Sequence, residues 1–69
     1  MATNITEKFG KRVRKIRTGK KMSQGDLAKV LGVHRNYISG IERGIENMSL
    51  RKISQLANAL GVEPYKLLK

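Results

Sequence analysis

The segment Val33 to Ile41 reads VHRNYISGI. It gathers hydrogen-bonding or unusually small residues into one run: His34, Arg35, Asn36, Tyr37, Ser39 and Gly40. Each has a use against the edges of DNA base pairs. A guanidinium such as Arg35 can donate two parallel hydrogen bonds to O6 and N7 of guanine, and a carboxamide such as Asn36 can pair with N6 and N7 of adenine. Arg35 can instead clamp a phosphate, and Asn36 can instead cap a helix. Tyr37 has two readings, a contact with a thymine methyl, sugar or phosphate, or a staple against the protein's own core. Ser39, one turn after Arg35, reaches a base or a phosphate. Gly40, with no side chain, is read by close fit, which shifts weight onto Arg35 and DNA shape. His34, at the start of the run, is in place to touch backbone phosphate.

A helix with its other side buried would present such a set, and Ile38 and Ile41 supply that side. Upstream, Leu27, Ala28 and Leu31 lie at i, i+1 and i+4 on one face of another short helix. Gly32 ends it in left-handed geometry and Val33 opens the next. Ala28 sits where the two helices come closest, so anything larger than a methyl would push them apart. The pair is a helix-turn-helix, a DNA-reading arrangement.

Around this pair the pattern predicts three more helices. The first runs from about Thr6 to Gly19, with Phe9, Val13 and Ile16 as its buried stripe. Ser23 caps the second helix, with Asp26 at its third position, where a carboxylate meets unpaired amides. The third covers roughly His34 to Arg43 and stops at Gly44. Ser49 caps the fourth, in which Leu50, Ile53, Leu56, Ala57 and Leu60 repeat at three and four, and Gly61 closes it. Pro64 suits the first turn of a last helix carrying Tyr65, Leu67 and Leu68. The expected fold class is all-α, five helices in one compact domain over residues 1–69, with no internal repeat or linker.

Sixty-nine residues with no cysteine support one modest core and no disulfide framework, so stability rests on helix packing or dimerisation. A formal charge of +10 favours a polyanionic partner. Basic residues crowd the first third: Lys8, Lys11, Arg12, Arg14, Lys15, Arg17, Lys20 and Lys21. For most of these the plain reading is a solvated helix face. No apolar run approaches the roughly 18 residues of a membrane span, and MATNITEKFG lacks the apolar stretch of a signal peptide, so a cytoplasmic location is expected. With a single histidine, no cysteine and five scattered acids, neither metal, cofactor nor enzymatic activity is expected.

These residues resemble the phage repressor and Cro type of helix-turn-helix, the Xre family, whose fold is that of the lambda repressor. The resemblance is carried by the basic R-x-x-R of Arg14 and Arg17, MSQGDLAKVLGV (Met22 to Val33), YISGIERG (Tyr37 to Gly44), LRKISQLANALGV (Leu50 to Val62) and the closing PYKLL. Within the family, RNYISGIERGIENMSL is most similar to controller proteins of restriction-modification systems. One departure is local: many relatives place Gly directly before the apolar residue that precedes the second helix, where this chain has Lys21.

The resemblance implies a sequence-specific regulator of transcription that binds double-stranded DNA as a homodimer on a pseudo-palindromic operator, with RNA polymerase as a further partner. Phosphates would be gripped by Ser23, Gln24, His34, Arg43, Asn47, Ser49 and Arg51, and Arg17 would pair with Glu42 in a structural role. Val62, Tyr65, Leu67 and Leu68, with Ile45, short of partners in so small a core, are candidates for the dimer interface, the other reading being that they only cap the core. An alternative is an antitoxin that neutralises a toxin while binding its own promoter, though such chains usually carry an extra toxin-wrapping segment and this sequence ends at Lys69. A nucleic-acid chaperone would need exposed stacking aromatics, and only Tyr37 and Tyr65 are available.

Overall fold

A helix end leaves backbone amides or carbonyls without partners, and this chain's sequence provides for them at nearly every boundary. The computed structural model describes residues 5–68, so the ends of the expected 1–69 span lie outside the described residues. It contains α1 (Ile5–Gly19), α2 (Gln24–Leu31), α3 (Arg35–Glu42), α4 (Leu50–Leu60) and α5 (Tyr65–Leu68). No strand occurs among the described residues.

At the start of α2 the Ser23 hydroxyl accepts from the Asp26 amide and the Ser23 amide donates to Asp26 Oδ2, both at 2.9 Å, a reciprocal capping box. Ser49 caps α4 by accepting from the Lys52 amide. Gly32 ends α2 at φ 71°, its amide turned back on Ala28 and Lys29, and this left-handed step makes the corner into α3. Helix α3 begins at Arg35 rather than Val33, because His34 is its N-cap. The corner between α1 and α2 is closed by Lys21 itself, at φ 59°. Holding a lysine in that region costs about 1 kcal/mol, offset here by hydrogen bonds from Lys21 N to Thr18 O and Met22 N to Arg17 O.

The Ser23 backbone amide, followed by its hydroxyl, holds the exposed Asp26 carboxyl below its ordinary value of 3.8. A carboxyl with a depressed folded-state pKa contributes stability above the unfolded value, and that contribution is lost as pH falls through the folded one. Asp26→Asn is therefore expected to lower stability at neutral pH and to reduce the loss on acidification below pH 3.8. Urea titrations of both proteins at neutral pH and on either side of 3.8 measure this, and equal acid sensitivity would refute it.

The core joins Phe9 and Val13 of α1, Leu27 and Ala28 of α2, Ile38 and Ile41 of α3, four apolar residues of α4 and Leu67 of α5. Helix α3 packs on both α1 and α2, while α4 backs α2, and α5 lies against α1 and α4. Two apolar residues exchange their expected places. Leu50 is 79% exposed, because α4 turns its first residue away from the core, and Leu67 is 1% exposed, filling the gap between α1 and α4. Leu67 is therefore a core residue and not a dimer contact.

Candidate nucleic-acid interface

With Ile38 and Ile41 buried, the 100° step of an α-helix turns Asn36, Ser39, Gly40 and Arg43 outward. Beside that face opens a cleft of about 720 Å³. Arg14 and Arg17 of α1 line it, with Ser23, Gln24 and Gly25 at the start of α2 and Arg35, Ser39, Glu42 and Arg43 from α3.

The floor of the cleft is one network. The Glu42 carboxylate accepts from Arg17 Nε at 2.5 Å, from Arg17 Nη2 at 3.1 Å and from Gln24 Nε2 at 3.1 Å. Arg17 Nη1 donates to the Met22 carbonyl at 2.6 Å. Side chains of α1, α2 and α3 are thus tied around a single carboxylate whose own exposure is 4%. The pairing removes the cleft's one negative charge. Arg14, Arg35 and Arg43 then stand without a carboxylate partner among the described residues, above the positive end of the α2 dipole.

Five of the expected contact residues meet in this cleft: Ser23, Gln24, Arg35, Ser39 and Arg43. Asn36 is exposed on the outward side of α3. His34 is also exposed, and its Nδ1 accepts from the Asn36 amide at 3.0 Å, which leaves Nε2 as the donor nitrogen of the ring. Capping α3 is thus the task of His34 and not of the Asn36 side chain.

Two expected base readers are placed differently. Tyr37 lies toward α4, half-buried, with its hydroxyl 3.6 Å from Met48 Sδ and Lys52 Nζ 5.8 Å from the ring centre. Burial pushes its phenol pKa up and the Glu46 charge adds to the shift. That half-buried placement is compatible with both readings. Gly40 points outward but is buried, because the chain after α3 folds back and lays Glu46 over it. A Cβ built on Gly40 would lie 3.0 Å from Glu46 Cγ and Oε2. No base edge can approach Gly40 closely while Glu46 lies there.

Asn47, Ser49 and Arg51 are outside the cleft. Asn47 and Glu46 line a separate, mainly apolar hollow of about 120 Å³ with Ile5, Thr6, Phe9, Met48, Ile53 and Leu68, Ser49 is the α4 cap, and Arg51 is exposed on α4. Among the described residues the large exposed apolar side chains are Ile5, Val30, Ile45, Leu50, Tyr65 and Leu68, whereas Val62 packs partly on the core. Arg14 was not singled out by the sequence as a contact; its signal is the i, i+3 spacing to Arg17, which puts both on one face of α1. Among the described residues no group of three or more His, Cys, Asp or Glu could hold a metal ion, and no helix is long and apolar enough to cross a membrane.

The helix-turn-helix family pattern matches residues 13–67. The chain is similar to the control protein C.BamHI of Bacillus amyloliquefaciens, 51% identical over 69 residues that cover 99% of this chain and 85% of that protein. It superposes with a TM-score of 0.85 on the restriction-modification controller protein C.AhdI from Aeromonas hydrophila, at 48% identity, covering 90% of this chain and 94% of that one. It also matches SinR, the master regulator for biofilm formation, in a crystal structure in complex with DNA, with a TM-score of 0.80 and 32% identity over 88% of this chain and 98% of that one.

Proposed function

This chain belongs to the helix-turn-helix family, and from that premise we propose that it is a sequence-specific DNA-binding regulator of transcription, acting in the cytoplasm as a controller of a restriction-modification operon. The observation that carries the reading is the cleft, in which Arg14, Arg35 and Arg43 surround the start of α2 and the one acidic group is neutralised from within. A phosphate backbone seated against the α2 N-terminus would meet Ser23, Gln24 and the Nε2–H of His34, with Arg14 and Arg43 on either side. That seating delivers Arg35, Asn36 and Ser39 to base edges in the major groove. Asn47, Ser49 and Arg51 then serve flanking phosphates.

One reading helix spans about half a turn of DNA, so the reading includes a homodimer on half-sites about 34 Å apart. Tyr65, Leu68 and Val62 support an interface, joined by exposed Ile5, Ile45 and Leu50. Asp26, the acid at the start of α2, is engaged by Ser23, which leaves a polymerase contact through it without support.

The test is binding of the purified protein to the DNA upstream of its own gene, against scrambled DNA of equal length, at two salt concentrations. Preferential binding with dyad-symmetric protection is expected. Arg35→Ala should lower the specific affinity by about 1–3 kcal/mol and leave far-UV circular dichroism unchanged. Equal binding of both DNAs, fading alike with salt, would overturn the reading.

A further inference from the structure

Among the acidic residues, Glu42 is neutralised by Arg17 and Asp26 is held by Ser23. Glu46 has neither a cation nor a hydrogen-bond donor within bonding distance among the described residues. Yet its position is the least neutral one available. Gly40 lies two residues past the buried Ile38, so helical geometry points it about 160° away from the core, into the outward face of α3. The Glu46 side chain covers that spot, in contact with Gly40, and its charge reaches Tyr37. Asn36 lies one turn before Gly40 on the same ridge and Arg43 one turn after. A carboxylate therefore sits among the groups that would face DNA.

An unpaired acid at a polyanion is repelled by phosphates and loses its water on docking, so on most sequences it opposes binding. The major groove holds one neutral group that compensates it well, an exocyclic amine, and a carboxylate accepting from cytosine N4 is the matching pair. Gly40 is what lets the acid lie close on the helix backbone, thin enough for α3 to remain in the groove.

We propose that Glu46 is a specificity-determining residue of this interface, its carboxylate accepting a hydrogen bond from the N4 amine of a cytosine and discriminating against half-sites that lack one there. The proposal rests on the DNA-binding reading above. Its test is selection of bound duplexes from a randomised pool by the full chain and by Glu46→Ala and Glu46→Gln, with thermal unfolding checked for each. The parent is expected to select one cytosine per half-site that becomes degenerate in Glu46→Ala, with discrimination there falling on the order of tenfold and binding to random duplex rising. Glu46→Gln should move that preference toward adenine, whose N6 and N7 suit a carboxamide. Gly40→Ala, whose methyl would displace the flexible end of Glu46 with the charge intact, should blur the same position. Identical base preferences in the parent and all three variants would overturn the proposal and leave the regulator reading standing. A parent that selects no sequence at all would overturn both.

Discussion

Arg17→Met is expected to destabilise the domain by about 3–5 kcal/mol, since it strands the Glu42 carboxylate in a site with 4% exposure. Gln24 would remain as a donor to that carboxylate, and the Met22 carbonyl would lose the guanidinium that now satisfies it. Domains of this size carry stabilities near the low end of about 5–15 kcal/mol, so much of the population would unfold at ambient temperature. Urea unfolding followed by circular dichroism measures the loss. The double variant Arg17→Met/Glu42→Leu should recover a large part of it, because replacing both members of a buried pair with apolar groups of similar volume removes the stranded charge. If the single variant loses less than about 1 kcal/mol, the pair does not fasten α1 to α3.

The same pair separates two ways of losing DNA binding. Arg35 and Arg43 are exposed, so under the proposed function their removal would subtract contacts from a protein that stays folded. Arg17 lines the same cleft, but its guanidinium is directed into the Glu42 network, and its loss would weaken binding in proportion to the unfolded fraction. Affinity measured beside stability distinguishes them. An alanine scan of the basic residues read by affinity alone would assign Arg17 to the contact surface.

Local signals made the helices legible. Ser23 with Asp26, Ser49, Gly32 and Gly61 each satisfy a helix end through atoms within a few residues, so spacing alone located α2 and α4. Ile38 and Ile41, with the polar run between Val33 and Ile41, located α3 and its arginine, whereas the pairing of Arg17 with Glu42 followed from the resemblance rather than from any pattern between residues 25 apart. What escaped depends on distant chain segments. Periodicity put Leu50 inside and could not decide Leu67, because a helix's first residue and a four-residue helix leave too few positions to fix a face. Gly40 is outward on any helical wheel, and only the return of the chain after α3 brings Glu46 onto it. Tyr37 is packed by Met48 and Lys52, eleven and fifteen residues away, which a window over α3 never includes. Arg14 stood out only as half of an R-x-x-R in a basic run, and nothing local separates an arginine that lines a cleft from one on a solvated face.

Gly10→Ala sets two effects of opposite sign against each other, and the fold decides between them. In an isolated helix alanine would gain about 1 kcal/mol over glycine. Here the added Cβ would run into the Ile41 carbonyl oxygen and come within 2.7 Å of Glu42 O and 2.9 Å of Glu42 C. All three are backbone atoms, which cannot rotate aside as a side chain can, so α1 would have to move away from α3. It is fastened on both sides of Gly10: Thr6 Oγ1 donates to the Gly44 carbonyl at 2.7 Å, and Arg17 holds Glu42 two turns later. Overpacking of this kind costs about 3 kcal/mol, which exceeds the helical gain and leaves a net loss of about 2 kcal/mol. The melting temperature should fall by about 10 °C. Gly19→Ala, where a Cβ would meet nothing within 4 Å, should instead raise stability by about 0.4–1 kcal/mol. A Gly10→Ala variant as stable as the parent, or stabilised as Gly19→Ala is, would refute the close approach. Since α1 also carries Arg14 into the cleft, whatever fraction of Gly10→Ala stays folded should bind DNA more weakly than the parent, although no charge has changed.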